Sequence, residues 1–171
     1  MKRTILAAAP IAAMAIAGLT SLASAQESQA LVTFKSLSPE TALKAAQASM
    51  KSCNDAGYQV AVAVVDRAGI EQVTLRDRFA GPHTPDTALR KAWTSVSFRT
   101  DSLELGKLTE SGEAWAIRNV SNALPLGGGA LVRDGDGSIV GAIGVSGAPS
   151  GALDEACAKD GIAAIADDIA F

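Results

Sequence analysis

The chain has 171 residues, 48% hydrophobic and only 4% aromatic, with a formal net charge of −3. An acidic chain has no electrostatic case for nucleic acid, and no polybasic stretch offers itself to an anionic membrane. Two cysteines and one histidine cannot supply the four ligands of a closed Cys/His zinc site.

Met1 is followed by Lys2 and Arg3, an apolar stretch through Leu22, and Ala23-Ser24-Ala25. A basic start, an apolar run and a small-x-small site predict a secretory signal peptide over 1–25, cleaved before Gln26. Pro10, Gly18 and the cleavage pattern disfavour a permanent anchor, so the mature chain is expected to be periplasmic or secreted. The mature chain has the size of one domain: an arm over 26–37 and a globular unit over 38–171. The apolar run at 30–34 reads as an edge strand or a loose arm.

Ser38-Pro39-Glu40 is a helix start, with a capping hydroxyl, proline in the first turn and an acid behind it. Leu43, Ala46, Met50 and Cys53 recur at helical spacing, and Gly57 suits a left-handed C-terminal cap. Residues 59–66 alternate valine and alanine and predict a strand covered on both faces; 70–76 predict its antiparallel partner. Thr84-Pro85-Asp86 starts a second helix running to about Phe98, with Ala88, Leu89, Ala92, Trp93 and Val96 inward and Arg90, Lys91 and Thr94 largely outward. A short helix is expected near 103–106, and 109–120 is ambiguous around Trp115. Strands at 130–133 and 138–146 flank the turn Asp134-Gly135-Asp136-Gly137. Gly141 and Gly144 allow a close approach to the second of these. Ser150 caps a last helix with Leu153, Cys157, Gly161 and Ala164 on its stripe. Strands that come as hairpins, without a βαβ repeat, give an α+β layered protein with a mainly antiparallel sheet.

Cys53 and Cys157 both fall on apolar helical stripes. In an oxidising compartment they most simply form one disulfide, the other reading being two buried thiols. The run Gly127-Gly128-Gly129 can present successive N–H groups to an anion, or serve as a crossover loop. Ser146 and Gly147, before the last helix, could join that anion seat through the helix's positive end. No convincing acid–base pair stands out, and Ser146 is not in a Gly-x-Ser-x-Gly elbow; no catalytic residue is assigned.

Val62-Ala63-Val64-Val65-Asp66 with Gly69, Lys91-Ala92-Trp93-Thr94, Gly127-Gly128-Gly129, and Gly141-Ala142-Ile143-Gly144-Val145-Ser146-Gly147 with Asp154 and Gly161 behind it stand here in order. In these pieces the chain resembles the GlcG/HbpS haem-binding family, which includes the C-terminal domain of PduO-type proteins. The resemblance implies a profilin-like fold with about five strands, a homo-oligomer, and haem capture or sensing with a sensor-protein partner. It also leaves room for slow haem degradation in what otherwise reads as a binding protein. His83, in a loop before a helix, is then the candidate axial ligand to haem iron, with Arg78, Arg90 and Lys91 near the propionates. The alternative is a capping or surface histidine, in a periplasmic module that binds a small organic acid at the glycine run and the last helix's N-terminus.

Overall fold

The computed structural model describes residues 30–171; the expected signal peptide lies outside them. Residues 30–38 have no regular structure, so the apolar run at 30–34 adds no strand. Helix α1 (Pro39–Asp55) begins where local chemistry dictates: Ser38 Oγ accepts the Thr41 N–H at 3.2 Å, and Pro39 and Glu40 fill the first turn. Gly57 then reverses the chain at a φ of +84°.

Strands β1 (Ala61–Asp66) and β2 (Glu71–Arg76) form the first hairpin. Helices α2 (Thr84–Phe98) and α3 (Ser102–Leu108) come next, then a 3-10 segment over Glu113–Asn119. Strands β3 (Gly129–Arg133) and β4 (Ile139–Ser146) make the second hairpin, and α4 (Gly151–Ala163) leads into a final 3-10 turn, Ala166–Ile169. The sheet order is β2-β1-β4-β3, antiparallel at every pairing. The α+β class is therefore as expected, with four strands among the described residues where about five were anticipated. No helix among these residues is long and apolar enough to cross a membrane.

The two faces of the sheet are covered differently. Val62, Val64, Ile143 and Val145 pack with α1 and α4 in the main core. Ala61, Ala63, Val65 and Ala142 turn the other way, against Ala88 and Ala92 of α2. Here the approach is so close that a Cβ at Gly144 would collide with the Ala88 carbonyl oxygen. Small residues on β1 and β4 are thus what lets α2 lie on the sheet.

Two helical stripes differ from the periodicity-based expectation. On α1 the buried residues are Ala42, Ala45, Ala46, Ser49 and Cys53, while Leu43 is exposed. The cause is α4: a Cβ at Gly161 would strike Ser49 Oγ and come within 2.6 Å of the Ala45 oxygen, so only small side chains fit between these helices. On α2, Lys91 and Thr94 are buried, not outward.

Cys53 and Cys157 are bonded, with Cα atoms 5.5 Å apart, tying α1 to α4 across a sequence separation of 104. Closing a loop of that size stabilises a chain by up to about 4–5 kcal/mol in the chain-entropy picture. Replacing both cysteines by alanine is expected to lower the unfolding free energy in urea by as much as that. Dithiothreitol should move the native chain toward the same midpoint, and no movement would mean the bond does not form.

Candidate functional site

At one end of the sheet, β1 begins, β4 ends, and both α2 and α4 start. The loops between them enclose an open cleft of about 760 Å³. Its polar side comes from the first turns of α2, with His83, Thr84, Thr87 and Arg90, and from the β4–α4 loop, with Ser146 and Gly147. Its apolar side comes from Tyr58, Phe79, Leu124 and Leu126. Phe79 is 77% exposed and Leu126 49%, so the cleft presents apolar surface to solvent. The N-termini of two helices of 15 and 13 residues lie at this cleft, and each carries partial positive charge.

The floor is an ion pair. Lys91 Nζ donates to Asp154 Oδ2 at 2.8 Å and to the Val145 carbonyl at 3.0 Å, and both residues are almost wholly inaccessible. Asp154 Oδ1 accepts the Ala148 N–H at 2.9 Å, which pins the β4–α4 loop. Burial pushes the Lys91 ammonium below its ordinary range and the Asp154 carboxyl above its own; the attraction of each for the other opposes both shifts.

The glycine run packs against this pair. A Cβ on Gly128 would lie 2.8 Å from Asp154 Cβ and 2.9 Å from Lys91 Nζ, and Gly128 itself has a φ of +121°. Gly127 meets the backbone of Gly151 at the start of α4, and Gly129 meets the Lys91 carbonyl. The N–H of Gly129 donates to Ser102 Oγ at 2.7 Å. Gly127, Gly128 and Gly129 are all buried. They are not among the residues that line the cleft.

The remaining candidates are scattered around this floor. His83 is exposed and occupies the N-cap position of α2, but its side chain makes no capping bond. Its ring lies over Gly81, where a Cβ would sit 2.7 Å from Cε1. Arg90 is half-buried, with Nη1 3.9 Å from Asp86 Oδ2. Arg78 is exposed, its Cζ 6.0 Å from the Phe79 ring centre, and it lies outside the lining. Ser146 is buried at the end of β4, and Gly147 comes next at a φ of +137°. The sequence reading missed Asp154 as the partner of Lys91, and Tyr58 and Phe79 as walls. One signal was present: Lys91 lies three residues after Ala88 and four before Ser95, on the stripe that faces the sheet.

Removing one member of the buried pair strands the other. Lys91→Met is expected to cost about 3–5 kcal/mol in denaturant unfolding, whereas Lys91→Met with Asp154→Leu should recover most of that loss. Equal losses in the single and double variants would show that the two side chains do not act as a pair.

Residues 37–163 match the sequence model of a family described as haem degrading protein, HbpS-like. A double mutant of HbpS from Streptomyces reticuli is 40% identical, over 92% of this chain and 97% of that one, with a TM-score of 0.75. The structure described as a PduOC:heme complex is 28% identical over 76% of this chain and 95% of that one, with a TM-score of 0.69. The corrinoid adenosyltransferase PduO of Salmonella typhimurium is 33% identical over 105 residues, 59% of this chain and 31% of that protein. The matched part is thus about a third of the enzyme's length.

Proposed function

Since this chain belongs to the HbpS-like family of haem degrading proteins, we propose that it binds haem, and that the cleft at the start of α2 is where it does so. The observation that carries this reading is the joining of an exposed imidazole, a guanidinium and an apolar wall in one cleft of about 760 Å³. The similarity to a protein solved with haem supports it. Pockets of several hundred cubic ångströms with a few convergent polar groups are typical of cofactor sites.

The residues present fit the group. Haem would bring an iron that an imidazole can hold and two propionates that need cations. His83 has no competing hydrogen bond from its side chain at the helix cap, so its ring is free to take the ligand role. Phe79, Tyr58, Leu124 and Leu126 would cover the porphyrin faces. Arg90 would hold a propionate, with Arg78 adding positive charge from outside the rim. Lys91 is buried and its charge is met by Asp154, so it would serve the propionates only by holding the floor in place. Ser146, Gly147 and the start of α4 offer the second anionic contact. The glycine run acts behind the floor: Gly128 makes room for the Lys91 and Asp154 side chains, while Gly127 and Gly129 let the loop pass close to the backbone of α4 and α2.

We place this activity after export, in the periplasm or outside the cell, with a profilin-like homo-oligomer capturing haem or reporting it to a sensor protein. Slow breakdown of the bound group is compatible with the family. The second reading, a small-organic-acid module seated on the glycine run and the N-terminus of α4, keeps only the α4 end at the cleft, because the glycine run is buried and does not line it.

Titrating purified mature protein with hemin should give a shifted Soret band. His83→Ala should abolish that shift, and Arg90→Gln should weaken binding about tenfold, as loss of a charge-assisted hydrogen bond does. A shift that survives His83→Ala would remove the ligand assignment and leave haem binding standing. No hemin response, together with thermal stabilisation by succinate that Arg90→Gln reduces, would favour the organic-acid module.

A further inference from the structure

The far end of the same sheet carries a second groove, of about 480 Å³, that no part of the haem reading uses. It lies where β1, β3 and α2 end and β4 begins. Three arginines line it: Arg67 from the β1–β2 turn, Arg99 from the C-terminus of α2 and Arg133 from the end of β3. Ser97 and Ser138 also line it, and no carboxylate does.

Among the described residues, none of these three guanidiniums has a carboxylate partner within 4.0 Å, although the chain as a whole is net negative. The acids nearest in sequence are engaged elsewhere. Asp66 accepts the N–H groups of Ala68 and Ile70 at 2.8 and 2.9 Å. Asp134 and Asp136 lie 3.0 and 3.1 Å from Lys35. Arg67 is held by stacking, its Cζ 4.9 Å above the Phe34 ring. Arg133 is held by one bond from Nη1 to the Gly137 carbonyl at 3.0 Å. Both side chains are thereby oriented without being neutralised.

Arg99 is the unexpected member. It closes α2 in the left-handed region, at a φ of +56°, where glycine is the ordinary choice. A long cationic side chain at such a position costs stability that glycine would not. Strain of this kind is found where a side chain is needed in place.

We propose that Arg67, Arg99 and Arg133 form a binding site for a small multivalent anion, one carrying several carboxylate or phosphate groups. Guanidiniums present paired donors that match both, and Ser97 and Ser138 supply neutral donors between them. The site is separate from the cleft at the other end of α2.

Calorimetric titration of the haem-free full domain with pyrophosphate and with citrate, at low ionic strength, tests this. Sub-millimolar binding of either anion is expected, weakening as salt rises, and the tighter of the two tells phosphate from carboxylate. Arg133→Gln should weaken it about tenfold or more. Arg99→Gly should weaken it equally while unfolding at the same or a higher urea concentration, because glycine relieves the backbone. Lys51→Gln, an equal change in net charge elsewhere, should leave binding intact, and none of the variants should alter the hemin titration. Absence of binding at about 10 mM of both anions would overturn the proposal, as would an equal loss in Lys51→Gln.

Discussion

A lysine and an aspartate sealed together inside a small domain constrain nearly everything around them. Neither charge survives burial alone, so the fold has to bring α2 and α4 within 2.8 Å side chain to side chain and keep them there. Further bonds to the Val145 carbonyl and from the Ala148 N–H tie the pair to β4 and to the loop after it. Glycine at 128 is a consequence, since a side chain there would occupy the space of the ion pair. Lys91, Gly128, Val145 and Asp154, which stand in four separate pieces of the sequence, therefore meet at one internal junction.

That junction decides what the cleft can be. Its floor is rigid and charged but internally compensated, so the floor offers little free charge to a ligand. Recognition is left to the rim, where His83, Arg90 and Phe79 stand on short loops and a helix start. Such a division suits a planar amphipathic ligand, whose apolar body meets the aromatic and leucine side chains while its charged edge meets the guanidinium and the helix ends.

Local chemistry was readable from the sequence, and of the long-range pairings the disulfide was, but the buried ion pair was not. The Ser38 and Ser150 caps, the two hairpins and the positive φ at Gly57 depend on neighbours a few residues away, and they appear where the residues place them. The cysteines were legible because both sit on helical stripes. Leu43 misled because size favours burial, while the α1–α4 approach admits only small side chains. Lys91 looked outward because it is charged; its place between Ala88 and Ser95 marked the buried stripe, but nothing local announces a partner 63 residues away. The triple glycine signalled a close approach without revealing what approaches. His83, Arg90, Ser146 and Gly147 were singled out separately and do line one cleft, whereas Arg78 lies outside its lining.

The covalent link sits wholly on the α1–α4 side of the sheet, and α2 contains no cysteine. The two halves of the sandwich therefore differ in how they come apart: one is riveted, the other is held by packing and a single buried charge pair. Partial opening in such a molecule is expected to begin on the unriveted side. A ligand held between the first turn of α2 and the β4–α4 loop would act there as a removable clasp, and filling of the cleft and the lifetime of that half of the molecule would then be linked quantities.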